Sequence, residues 1–207
     1  MRNNLIVVGC FVAGILCGMC IGESSLALVQ RLPSFLLYAL IVQVGLNLGA
    51  NGELGAMFRH IRLSALLLPL FTIAGTLAFS AGASLLLSSL NAYDCMAVGS
   101  GFAYYSLSSV LITQLKEASA GVEIASRLGA IALLANIIRE MLALFGAPLY
   151  AALFGKFAPV SVAGINSMDV CLPAISRYSG KSVVPTAIIH GIVLEVSVPL
   201  LISFFCG

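Results

Sequence analysis

Arg139, Glu140, Asp169, His190 and Glu195 are the ionisable side chains of this chain that lie well inside long apolar runs. Such groups are expensive in hydrocarbon and by default mark ion, proton or substrate pathways. Carboxylates there hold ammonium groups or carry protons. Arg139 and Glu140 are neighbours, about 100° apart around a helix, so they face different partners. Asn136 lies four residues before Glu140 and shares its face. The plain alternative for Glu140 is a structural ion pair, such as one with Arg139 of a neighbouring subunit. Glu123 and Arg127 also have i,i+4 spacing, nearer a membrane boundary, where an interfacial ion pair is expected.

Two polar breaks accompany these charges. At Asn166-Ser167, with Asp169 following, the spacing predicts a helix start in which Asn166 caps and Asp169 sits at N3. A helix starting at membrane depth presents free N–H groups and a positive dipole end that suit a carboxylate. Asp169 suits an ammonium group, and Pro173 falls within the first turns. The other break, Gly99-Ser100-Gly101, is followed by Tyr104, Tyr105, Ser106, Ser108 and Ser109. These hydroxyls and glycines serve either a binding site or close helix packing, and the tyrosines either the site or an interfacial belt. His190 and Glu195 are five apart and point to different sides. His190 is a hydrogen-bonding strut or a ligand, with Gly191 beside it admitting a close partner helix. Glu195 is a proton carrier or a structural acid.

An intramembrane hydrolase would need a nucleophile and a base, and His60 and His190 are the only histidines. No H-E-x-x-H or G-x-x-x-x-G-K-[ST] pattern is present, so no metal, cofactor or nucleotide is expected. The six cysteines, Cys10, Cys17, Cys20, Cys95, Cys171 and Cys206, mostly fall in apolar runs and read as small hydrophobes.

The elements that position these groups follow from composition. Of 207 residues, 60% are hydrophobic and 9% charged, with a net charge of +2; mean hydropathy is +1.10. That excludes a soluble domain, a disordered chain and a nucleic-acid binder. An all-α polytopic membrane protein remains, as one transmembrane domain over 1–207. Seven hydrophobic segments can be drawn at about 5–21, 34–49, 63–87, 94–113, 121–154, 160–178 and 183–206. The fifth is too long for one straight span, and Gly146 and Pro148 suggest a kink or an end. The first resembles a signal peptide but reads as an uncleaved span. The fourth and sixth are broken helices, discontinuous or re-entrant, and such pairs point to a transporter binding site. With seven crossings and a cytoplasmic N-terminus, Arg2, Arg59, Arg62, Lys116, Arg177 and Lys181 fall inside, Arg31 and Lys156 outside, and the C-terminus outside. A re-entrant sixth segment alone would move the C-terminus inside and Arg177 and Lys181 outside.

Gly99-Ser100-Gly101-Phe102 with Tyr105-Ser106-Leu107-Ser108, then Arg139-Glu140, Ser167-Met168-Asp169 with Leu172-Pro173, and Pro185, His190-Gly191 and Pro199, resemble the lysine exporter (LysO) family of bacterial inner-membrane proteins. The resemblance is close over about 90–207 and looser before. It implies export of L-lysine and toxic analogues, with intramembrane acids needed for transport. Glu140 is the first position to carry over and Asp169 the second. Asn136 stands where some members have Asp. Longer members have about three additional N-terminal spans, so the resemblance implies a homodimer or a separate small membrane subunit of about three spans. The expectation is a secondary transporter driven by gradients, with a cationic amino acid, protons and the lipid bilayer as its partners. The alternatives are a cation/proton antiporter, an intramembrane hydrolase and a non-transporting assembly subunit.

Overall fold

In a computed structural model the described residues are 63–87 and 89–207. The segments expected over 5–21 and 34–49 lie outside them, as do Arg2, Arg31, Arg59, His60 and Arg62. All described secondary structure is helical. Three helices are long and apolar enough to cross a membrane: α1 (Leu63–Ala83), α4 (Val122–Phe154) and α7 (Val184–Cys206). Between them lie α2 (Ala92–Gly99), α3 (Tyr105–Ala120), α5 (Ala158–Ala163) and α6 (Leu172–Ser179). Helix α4 runs uninterrupted through Gly146 and Pro148, about 50 Å at 1.5 Å per residue. Gly146 leaves room for the Tyr150 ring rather than ending the helix.

Local chemistry sets the helix starts. Asn91 accepts the Asp94 N–H at 2.7 Å and caps α2. Prolines 159, 173 and 185 stand in the first turns of α5, α6 and α7, where a missing N–H costs nothing. Pro173 explains a departure from the expected cap. The helix after Asn166 begins at Leu172 with Cys171 as its N-cap. The Asn166 carbonyl, not its side chain, takes the Asp169 and Cys171 N–H groups.

The fourth and sixth segments do not cross. Helix α3 ends where α4 begins, and Lys116 near that end bonds Asp94 at the start of α2 at 2.9 Å. The ring of Tyr93 also meets Phe205 at the far end of α7, with centroids 6.4 Å apart. Both ends of α2–α3 therefore lie at one end of the bundle. Helix α5 leaves from the far end of α4, and α6 delivers the chain to the start of α7. Both ends of α5–α6 therefore lie at the opposite end. The pattern of a crossing helix followed by a re-entrant pair occurs twice, α1 with α2–α3 and α4 with α5–α6, in opposite senses. This is an inverted-topology arrangement.

Packing follows membrane rules. Helix α4 buries Ala125, Leu128, Gly129, Ala132, Asn136, Glu140, Ala143 and Ala147 along one seam. Large Leu134, Ile138, Leu142, Phe145 and Leu149 stay exposed on the other side. Small residues let helices approach, as where Gly129 meets the Ser109 carbonyl and Thr113.

The tips of the two re-entrant pairs meet. Ile165 N–H donates to Phe102 O at 3.0 Å, and a Cβ on Gly164 would strike that carbonyl. Gly164 also holds φ at 63°. Gly164→Ala is therefore expected to cost more than the roughly 1–2 kcal/mol of a left-handed alanine. Gly155→Ala, at φ 86° with no atom nearby, should show that backbone cost alone. Thermal unfolding of the purified variants checks the ranking; equal losses would contradict it.

Candidate functional site

The first tip is strained without glycine. Phe102 and Ala103 hold φ at 43° and 73°. Such conformations persist where the surroundings over-determine them. Asn136 does this. Its Oδ1 accepts the Ala103 N–H at 2.8 Å, and its Nδ2 donates to Ala132 O at 2.9 Å, Val98 O at 3.2 Å and Ser108 Oγ at 3.4 Å. Gly101 leaves the space the Asn136 amide occupies. Phe102, Ala103 and Asn136 are all buried.

The second tip, 164–171, is held by α7. Ser167 Oγ donates to Ala187 O at 2.9 Å and lies 3.2 Å from His190 Nδ1. His190 Nε2 lies 3.0 Å from Thr72 Oγ1 on α1. The ring thus bridges Thr72 of α1 and Ser167 of the second tip, so His190 acts as a strut between them. Gly191 admits the tip closely, since a Cβ there would press on Met168 and the Ile165 carbonyl.

Around the meeting point stand Glu140, Asp169 and Glu195. Glu140 and Glu195 are 9% and 8% exposed, whereas Asp169 is exposed. Asp169 is within electrostatic reach of both. Tyr105 and Cys171 face Glu140 and Asp169, and Tyr104 faces Glu195 and Asp169. Among the described residues no Lys or Arg acts on Glu140 or Glu195. Asn166 stands beside Glu140, and its buried side-chain amide is turned toward that carboxyl. Asp169 itself accepts the Val170 N–H.

Arg139 points elsewhere. Its Nε donates to Val162 O at 3.0 Å and its Nη2 to Ser161 O at 3.1 Å, and the guanidinium lies 5.6 Å from the Phe102 ring centroid. Two carbonyls of α5 and an aromatic face thus occupy it within the chain, rather than Glu140. Glu123 and Arg127 do not pair; Lys116–Asp94 is the ion pair among the described residues. Of the other residues picked out by sequence, Ser100 bonds back to Met96 O at 2.7 Å, Ser108 to Tyr105 O at 3.3 Å, and Gly99 packs on Ser80 and Thr76. Ser106 makes no hydrogen bond with another described residue. Sequence reasoning passed over Thr72, Thr76 and Ser80, although hydroxyls at i, i+4 and i+8 in apolar α1 mark one polar face.

Discontinuous helices from inverted halves, meeting at mid-bundle beside ionisable groups, are the architecture of secondary transporters. The chain belongs to the family described as lysine exporter LysO, which it matches over residues 8–206. It is 31% identical over 191 residues to the lysine exporter LysO of Escherichia coli, an alignment covering 91% of this chain and 60% of that protein. A Haemophilus influenzae relative is 30% identical over 171 residues, 83% of this chain and 82% of the relative. No solved structure matches the chain.

Asn136→Ala would leave the Ala103 N–H buried and unpaired and release the strained tip. A loss of about 2 kcal/mol or more is expected. Thermal unfolding in detergent measures it, and a change within a few tenths of a kcal/mol would refute the clamp.

Proposed function

We propose that this chain is a single-domain transporter, not an enzyme, that exports a cationic amino acid, L-lysine and its analogues, from the cytoplasm in exchange for protons. The observation that carries this reading is the group of Glu140, Asp169 and Glu195 at the meeting tips, in which no cation among the described residues acts on the two buried acids, Glu140 and Glu195. An ammonium group is the natural complement of such a site. Tyr104, Tyr105 and the Asn166 amide supply hydrogen bonds around it. Family membership supports the substrate class.

Orientation follows from the basic residues. Lys156, Arg177 and Lys181 lie at the end of the bundle from which α5–α6 enters. Lys116, paired with Asp94, and Arg127, in the second turn of α4, lie toward the other. The positive-inside rule makes the first end cytoplasmic and puts the C-terminus outside. Both re-entrant segments together preserve the expected placement of Arg177 and Lys181. They exchange those of Lys116 and Lys156. The membrane potential, positive outside, opposes exit of a cation, so one acid must carry a proton inward while another holds the substrate.

Efflux of radiolabelled L-lysine from loaded cells or vesicles tests the reading. Glu140→Gln keeps the shape and removes the charge, and efflux should fall about tenfold or more. Wild-type efflux from that variant would remove Glu140 from the mechanism. Sodium- or pH-linked cation flux without any lysine flux would replace amino-acid export with cation/proton antiport.

A further inference from the structure

Arg139 is the charge that the carboxylate cluster does not use. It lies about 26 Å along α4 from one end and 22 Å from the other, at mid-membrane depth. A guanidinium there is costly without an anion. Yet no carboxylate among the described residues pairs with it. Carbonyls take its Nε and Nη2, leaving N–H groups over. Two adjoining cavities of about 680 and 290 Å³ lie beside it, and Arg139, Thr76 and Ser80 belong to the walls of both. Thr76 and Ser80 are four apart on α1 and share a face. Neither hydroxyl bonds another described residue. Ser161 lines the larger cavity and Asn136 the smaller.

The chemistry of this wall is the complement of the acid cluster. A fixed guanidinium accepts a carboxylate through parallel N–H bonds, and flanking hydroxyls complete its shell. The cavities are of the size that holds small ligands. An exported amino acid brings one carboxylate, which Glu140, Asp169 and Glu195 would repel. We infer that Arg139, with Thr76 and Ser80, forms the subsite for the carboxylate of the transported amino acid. The inference rests on the amino-acid transport reading.

The test compares L-lysine with 1,5-diaminopentane, which is lysine without its carboxylate. Binding of each to the purified full chain in lipid nanodiscs is measured alongside efflux. Wild type should bind lysine more tightly than the diamine. Arg139→Gln should lower the lysine-to-diamine affinity ratio about tenfold or more, leaving diamine binding nearly unchanged. Arg139→Lys keeps the charge but not the fork and should fall between. An affinity ratio does not depend on how much protein folds. If Arg139→Gln yields no folded protein, Thr76→Val with Ser80→Ala decides: a several-fold drop in the ratio supports the subsite, and an unchanged ratio overturns it. A wild type that does not distinguish the two ligands, or binds neither, also overturns it. Arg139-dependent lysine binding without any efflux would leave the subsite standing and sink the export reading.

Discussion

A single backbone hydrogen bond, Ile165 N–H to Phe102 O, holds together two chain reversals at the middle of the bundle. Hydrocarbon supplies no water to an open peptide group, so non-helical backbone at that depth must find protein partners. Each tip solves part of the other's problem. Phe102 offers a carbonyl and Ile165 an N–H, while Gly164 clears the space between them. Side chains meet the remaining demand: Asn136 takes the Ala103 N–H, and Ser167 ties the second tip to α7. The strained backbone at Phe102 and Ala103 persists because these partners leave it no alternative.

That constraint also determines where charge resides. Helix α4 passes the meeting point and presents three side chains to it, Asn136 and Glu140 from one face and Arg139 from another. Asn136 holds the first tip, Glu140 faces Asn166 of the second, and Arg139 bonds the carbonyls that lead into the second. Acid and base are adjacent in sequence yet do different work, because about 100° of helical rotation sends them to opposite sides of the tip contact. A salt bridge between them would have neutralised both.

Much of this was legible in the sequence, for definable reasons. Glycines and asparagine interrupting apolar runs at 99–101 and 164–166 marked the breaks, and mid-run carboxylates marked the site. Hydropathy reports the length and apolarity of a segment but not its direction, so the two broken segments could be read as discontinuous or re-entrant and the topology was drawn with seven crossings. Their return became visible through Asp94–Lys116 and Tyr93–Phe205, long-range contacts with no local signal. The left-handed backbone fell on Phe102 and Ala103, not on the adjacent glycines, because tertiary bonds rather than propensity set it. Asn166 had the right spacing for a cap, but the helix starts downstream at Leu172, with Pro173 in its first turn, and the Asn166 amide turns to Glu140 instead. The partners of Arg139 were backbone carbonyls, which no residue pattern announces.

The inverted halves connect these parts. Each half contributes one crossing helix and one re-entrant pair, and the tips entering from opposite ends share one hydrogen-bonded junction. Access from either side must pass along one pair or the other, while the junction and α4 lie between. The elements that hold the junction, Asn136 from α4 and His190 from α7, belong to the crossing helices and not to the pairs themselves. His190 further ties α7 to α1 through Thr72, so the crossing helices form a frame against which the tips are braced. A change of charge at Glu140 or at Arg139 acts directly on contacts between that frame and the second pair. On the proposed reading, substrate and proton would meet the chain where frame and tip are joined, the place where differential binding can shift one arrangement against another.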